Sequence, residues 1–568
     1  MPQVGQGGPD LYPDEPRARP RSEAGRIGLA PGHDPSGGGL ARTVSECDAD
    51  RMGRPGRGVR VVASITAAAA CVQGSAAAAG LRNGRLVGVA DNTDGVRLYR
   101  GTGLVPDTAD GRSDWKGGVV VHFVRAEPGE DPIPSAALQI LKMAAWGHRE
   151  HWCLTRLGWA YALLAGGVTG AAVWAASAEP VGALALLPVL APLADPDFAR
   201  FFVSTYAEPA GLAGAAALLC GTAVLALVRP GQRAEHAAGL ALAGGGGLLA
   251  VTAKVAYLPL LPVAAVVCAA TRTASGRMMA TAITALAVKP VAAAWRWQNR
   301  NYPAVNTHNL VFTLLIPELG ADAAVAVGLP ESAVAYSGCG SSDARGVSLD
   351  PDLIPGWRSA IGADPGRARG AACRYLATHP KALARVVGVA LQATLGRDLD
   401  YLRKDPLPPG VDRLREVSVT GPTGHDADAL QAWLDGLPAP WRPSMLVLAG
   451  IAAGTAALWW PPRDDLTRTL AVVAGTGAVG AVGVAAFAMV GDGYYEVAKH
   501  TWLSAYLLDV TAAALAGAAV ASLIRVSSRR LSGDRAAIRS QRAAVARFPT
   551  RRRTRAEARS PRLGRSGS

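Results

Sequence analysis

Apolar stretches separated by short polar breaks recur along most of this chain. After a first run that follows the basic stretch at Met52 they fall at about 158–177, 180–194, 210–228, 236–252, 256–270, 278–294, 443–460, 469–490 and 502–524. Helical spans of a bilayer need roughly 20 apolar residues each, and several of these runs are shorter, so their boundaries are soft. The pattern predicts an all-α polytopic membrane protein with about ten transmembrane helices. Residues 1–55 are rich in Pro, Gly, Arg and Asp without periodicity and predict a disordered tail. The following blocks are a membrane module at 56–294, a mostly helical loop domain at 295–442, three closing helices at 443–525 and a basic, disordered tail at 526–568. Met52 precedes a basic stretch and the first apolar run, and is an alternative start. That run reads as a retained helix; the small residues Gly74–Ala78 also allow a cleaved signal peptide.

Charge orients the spans. Only 18% of residues are charged, against about 25% in soluble proteins. From Arg525 onward there are fourteen arginines against Asp534 and Glu557, a net charge of +12. A basic tail of this kind suits an anionic cytoplasmic leaflet, with RNA binding as the lesser alternative, so membrane lipids and not nucleic acid are the expected partners. Placing both termini inside makes 178–179, 229–235, 271–277 and 461–468 the inner loops. They carry Arg229, Arg233, Arg272, Arg277, Arg463 and Arg468, in keeping with the positive-inside rule. Arg149 and Arg156 run against it, within a long loop where the bias is weak. The outer segments are then 81–157, 195–209, the surroundings of Lys254, 295–442 and 491–501. No cysteine spacing suggests a metal site, and Cys339 and Cys373, both in the long outer loop, are open to disulfide formation.

Four polar clusters land on the same outer face. They are Asp91 and Asp94 with Arg97; Asp195–Arg200 running into Ser204–Pro209 with Glu208; Thr252–Lys254; and Gly491–His500 with Lys499 and His500. Each has a bland explanation. The Asp91–Gly95 segment is turn-like, Glu208 suits a helix N-terminus, Lys254 can snorkel, and His500 can be a satisfied surface histidine. Gathered on one face, they suit glycosyl transfer from a lipid-phosphate sugar. A carboxylate would take the acceptor proton and cations would stabilise the leaving phosphate. A flippase or small-solute transporter is the rival, and it would place charges nearer the bilayer midplane. A structural anchor for a surface complex, in which the acids are dispensable, is a third reading.

The segments VADNTDGVRLYRGTGL (89–104), DPDFARFFVSTYAEPA (195–210), AKVAYLPL (253–260), NTHNLVFTLLIPELG (306–320), RYLATHP (374–380) and GDGYYEVAKHTWL (491–503) resemble bacterial integral-membrane glycan-biosynthesis hexose transferases of the WsfD type, related to the GT-C superfamily. The resemblance runs in order from about residue 58 to 525. It implies a GT-C-like fold and transfer of a hexose from a polyprenyl-phosphate sugar to a cell-envelope glycan acceptor, outside the plasma membrane of a bacterium. By the same resemblance Asp94 is the essential acid of the first external loop, Asp91 its runner-up or support, and Glu208 the acid of the second. Lys254, Lys499 and His500 are candidates for the donor phosphate, with Arg97 and Arg200 as further substrate-binding candidates. No metal or other cofactor is implied. Thr205–Tyr206–Ala207–Glu208 stands where the family's pattern has a Phe-Tyr-Ser-Glu run, which keeps the acid and removes the neighbouring hydroxyl.

Overall fold

The computed structural model describes residues 55–89, 92–107, 119–129, 131–148, 150–341, 353–395, 413–414, 441–462 and 464–546, with only the backbone described at 92–94, 119, 413–414, 441–442 and 529–546. The tail expected at 1–55, apart from residue 55, lies outside the described residues, as do Asp91, Arg149, Arg463 and the last part of the C-terminal tail.

The chain is mostly helical. The helices used below are α1 (Arg57–Ala78), α2 (Asn92–Tyr99), α3 (Leu154–Ala176), α4 (Glu208–Leu227), α5 (Arg233–Ala253), α6 (Leu260–Ala270), α7 (Ala274–Asn301), α8 (Pro365–Ala377), α9 (Trp441–Trp459), α10 (Asp465–Asp492) and α11 (Trp502–Ala546). Among the described residues, seven helices are long and apolar enough to cross a membrane, and an eighth candidate is the pair Gly182–Ala194 and Pro196–Val203, bent by 61°. Two more apolar helices, Val255–Ala270 and Pro443–Trp459, are shorter than a usual span. The predicted count of about ten is therefore reached only if the bent pair and both short helices cross. α7 continues to Asn301, past the boundary expected at 294. α11 runs on to Ala546, so residues 526–546 are helical where a disordered tail was expected. Their Ala, Arg, Leu and Gln content carries high helix propensity, which a reading of charge alone overlooks.

Small residues set the helix spacing. A Cβ on Gly214 of α4 would sit 2.5 Å from the Ala250 nitrogen and 2.7 Å from the Gly246 oxygen of α5. One on Gly221 would sit 2.3 Å from the Ala243 nitrogen, and Gly454 and Gly475 meet in the same way between α9 and α10. In a bilayer, where apolar surface drives little helix association, such backbone approach supplies dispersion contact instead. α1 joins the bundle by this means, with Val72 against Gly166 and Ser64 Oγ donating to the Gly170 carbonyl at 2.7 Å. Gly214→Val is expected to force α4 and α5 apart at a cost of about 3 kcal/mol. Gly245→Ala, with nothing within 4 Å of the new methyl, serves as the neutral control. Thermal unfolding in detergent checks both, and equal melting temperatures for the two variants would refute the role given to this contact.

Ion pairs mark the two ends of the bundle. At one end Arg229 bridges Glu179 (3.0 Å) and Asp465 (3.1 Å), Gln232 donates to Glu179 (2.9 Å), Arg60 meets Glu235 (2.8 Å), and Arg525 meets Asp464 (2.7 Å). Loops 178–179, 229–235 and 461–468, assigned to one side by their charge, are thus brought together. At the other end Ser135 Oγ donates to the Ala253 carbonyl (2.6 Å), and Arg300 pairs with Asp131 (2.5 Å). Asn301 and Arg300 together hold the exposed Asp131 carboxyl below its usual range.

The first loop carries a small antiparallel sheet that the helical reading did not foresee. It is built from β1 (Leu104–Pro106), β2 (His122–Arg125) and β3 (His151–Cys153) in the order β1-β2-β3, with Leu104 opposite Arg125 and Phe123 opposite Trp152. These strands are too short to show a period in sequence. Phe123 sits between Tyr99 and Trp152 at centroid distances of 5.3 and 5.5 Å, so the sheet anchors the end of α2. Cys339 and Cys373 are both free thiols, and the disulfide left open in sequence is not formed. Burial raises the Cys373 thiol above its ordinary range, a setting that favours the protonated form.

Candidate active site

α4 and α5 form an antiparallel hairpin, so the start of the first and the end of the second are neighbours. Glu208 is the first residue of α4, followed by Pro209, whose fixed φ suits an opening turn. Lys254 caps α5 in an extended conformation (φ −149°, ψ 136°), where the chain leaves the helix. Each charge complements the dipole of its own helix, and the two meet: Lys254 Nζ donates to Glu208 Oε1 at 2.7 Å. The Glu208 side chain is 4% exposed and that of Lys254 25%. The acid is thus enclosed, while the cation keeps an open side. An ammonium has three donors, and Glu208 takes one of them.

Two further segments close on this pair. A Cβ on Gly95 would lie 2.1 Å from Thr205 Oγ1 and 3.7 Å from the Tyr206 ring, so the backbone of α2 rests on the strip leading into Glu208. Asn92–Gly95, expected to be turn-like, is instead the opening of helix α2. Asp94 lies on that helix beside Gly95, and Asp91 falls outside the described residues. From the far side of the chain, Lys499 places its ammonium 5.8 Å from the centroid of Tyr206 while pairing with Glu496 at 2.8 Å. Glu496 holds a left-handed conformation (φ 46°), a costly one for a residue with a side chain, and one that turns the chain into the Lys499 helix. Below the pair, the Tyr257 ring packs on Gly211, where a Cβ would come within 2.2 Å of it.

The remaining sequence candidates are held elsewhere. Arg200 is 2% exposed and pairs with Asp197 at 3.3 Å. Its backbone lies against Gly88, which at φ 87° and with no room for a Cβ admits only glycine. Arg97 stacks on Tyr302 at 4.3 Å. His500 meets Asp492 at 2.9 Å, and Asp492 in turn accepts from Asn309 Nδ2 at 2.7 Å.

Asn309 belongs to a group to which no role was assigned from sequence. Asn306, Thr307, His308 and Asn309 are all buried. Asn309 also accepts from the Ser341 amide (2.8 Å). Trp357 Nε1 donates to His308 Nδ1 at 3.0 Å, which leaves Nε2 to donate to the Cys339 carbonyl at 3.0 Å. Burial lowers the His308 pKa, in keeping with this neutral form and with a structural task. Arg369 of α8 caps the end of α10 by donating to the carbonyls of Val490 and Gly491 (3.2 and 3.1 Å). Tyr494 donates from its amide to Thr313 (2.9 Å) and from its hydroxyl to Glu318 (2.8 Å). Segments 303–341 and 353–395 thus clamp the loop that delivers Lys499. The available signal was four consecutive polar residues opening an apolar run at Leu310–Leu315. Among the described residues, no three His, Cys, Asp or Glu side chains gather to hold a metal ion.

Residues 83–315 match the family model of the YfdI N-terminal transmembrane domain. No curated protein and no solved structure matches the chain. The YfdI-type region takes in α2, Glu208, Lys254 and the buried polar run at 306–309, and it ends before Asp492, Lys499 and His500. The enclosed acid, its cation and the helix resting on them all belong to it, whereas the second cation comes from the C-terminal helices.

Proposed function

We propose that this protein is a membrane glycosyltransferase of GT-C-like, WsfD-related type, moving a hexose from a polyprenyl-phosphate sugar to a cell-envelope glycan. In this reading all ten apolar segments cross a bacterial plasma membrane, both termini are cytoplasmic, and the Glu208 end of the bundle faces outward. The observation that carries the proposal is the Glu208–Lys254 pair, with Lys499 brought to Tyr206 and α2 resting on Thr205. Acid and cation at a bundle end, not at mid-depth, suit a headgroup reaction better than alternating access. The match to the YfdI N-terminal transmembrane domain also suits a membrane glycosyltransferase.

The chemistry follows from the residue types. The acceptor hydroxyl loses its proton to the Asp94 carboxylate as its oxygen attacks the anomeric carbon. The bond from that carbon to the phosphate oxygen breaks, and the lipid phosphate leaves with the electron pair. Asp91 supports Asp94, and Glu208 orients the acceptor. Lys254, through donors not given to Glu208, and Lys499 offset the charge that develops on the phosphate. His500 acts from behind, through its pair with Asp492, Arg97 contributes from its stack on Tyr302, and Arg200 serves as buried support for the bent segment rather than as a substrate contact. No metal is assigned a role. Mass spectrometry of surface glycans from cells with and without the gene tests this reading. Loss of one hexose is the expected result, and an unchanged glycan profile rejects it.

A further inference from the structure

α7 is a candidate span with only 11% of its most apolar window buried inside the protein, yet it carries a lysine along its length. Lys289, Arg296 and Arg300 are spaced i, i+7 and i+11, which puts them on one face of the helix, and all three are exposed. Arg300 is engaged by Asp131. Lys289 and Arg296 have no ion partner among the described residues. Their surroundings are lipid-like, since Leu286 and Val288 are each 62% exposed and Trp295 is 39% exposed. Trp295 marks the depth of the interface, as tryptophans do at a bilayer boundary, and the Arg369 guanidinium lies 5.7 Å from its ring centroid. At 1.5 Å rise per residue, Lys289 lies about 9 Å further into the membrane than Trp295 and about 10 Å below Arg296.

A lysine facing lipid at that depth is costly unless an anion meets it. Pro290 adds to the polarity, because it supplies no N–H to the Leu286 carbonyl one turn back. The stripe also lies at the end of α7 that contacts Asp131, the Glu208 end, and not at the arginine-rich Arg229 end. The positive-inside rule therefore gives it no task in orienting the chain.

We infer that the Lys289–Arg296 face of α7 binds an acidic phospholipid, its phosphate drawn between the two cations and its chains lying along Leu286 and Val288. Charge complementarity and depth favour this occupant. One phosphate spans two cations separated by two helical turns once the lysine stem extends toward the headgroups, and the exposed apolar residues match acyl chains. Neither residue belongs to the proposed transfer site, so the inference stands or falls independently of it.

Native mass spectrometry of the full-length protein, loaded with phosphatidylglycerol or phosphatidylcholine, provides the test. Phosphatidylglycerol should be retained in preference, and Lys289→Gln and Arg296→Gln should each weaken its retention about fivefold, as expected of one cation near a headgroup. Lys289→Arg should retain it. Both glutamine variants remove a lipid-facing charge without removing packing, so folding should be intact, and unchanged melting temperatures verify that. Equal retention of the two lipids, or undiminished retention by both glutamine variants, overturns the inference. So does displacement of phosphatidylglycerol by equimolar undecaprenyl phosphate, which would assign the face to a sugar carrier, or a dimer occupying this face.

Discussion

Asp94→Asn is expected to lower sugar transfer by about 10²- to 10⁴-fold, the usual contribution of a positioned general base. The amide keeps the shape of the side chain and cannot accept the acceptor proton. The close contact with Thr205 is made at Gly95, so the seat of α2 should survive the substitution. Thermal stability and donor binding should stay near wild type while turnover falls. Membrane-embedded protein supplied with labelled lipid-phosphate hexose and a glycan acceptor gives the measurement. Wild-type turnover in the asparagine variant would remove Asp94 from the chemistry and return the first cluster to a structural role.

The second large effect separates support from chemistry at the enclosed pair. Lys254→Met leaves the Glu208 carboxylate, 3% exposed as a residue, without its nearest counter-charge. Breaking a buried pair from one side typically costs about 3–5 kcal/mol, and the lower part of that range is expected here because the Lys499 charge also acts on Glu208. Adding Glu208→Gln should recover most of that loss, since removing both charges is close to neutral. Transfer should be absent in both variants. Unfolding midpoints in detergent, read beside turnover, decide the matter. A double variant that is stable and active would reduce the pair to scaffolding, whereas a stable Lys254→Met would show that the carboxylate does not depend on this lysine.

Much of the membrane architecture was legible because apolar run length and arginine placement are local properties. The runs at 210–228 and 236–252 match α4 and α5 to within three residues, and the loops carrying Arg229 and Asp465 do meet. Three features were missed, two of them because they are not local. The strands at 104–106, 122–125 and 151–153 are short, and each depends on a partner distant in sequence. The α11 extension rests on helix propensity beneath a conspicuous run of positive charge. The clamp from 303–341 and 353–395 onto the Lys499 loop is made by single contacts such as Asn309 to Asp492 and Arg369 to Val490, which leave no period in the chain.

The candidate site divides in the same way. Charge and position at helix ends singled out Glu208 and Lys254, and their pairing follows from a hairpin of two helices of nearly equal length. Sequence had no means of separating Lys499, which reaches Tyr206, from its neighbour His500, which is committed to Asp492. It likewise ranked Arg200 with the substrate-binding candidates, whereas the bent segment buries it against Gly88.

The contact of Gly214 with Gly246 and Ala250 has a mechanical consequence. Glu208 and Lys254 are carried on one stiff fork, with the glycine crossings as its rivets, and their separation is a fixed gauge. Opening and closing around a cargo must then come from the other walls, α2 or the loop bearing Lys499, while the fork stays still. A machine that alternates access by rocking two halves of its binding site would have to shear those rivets in every cycle; a stationary anvil against which a substrate is pressed would not.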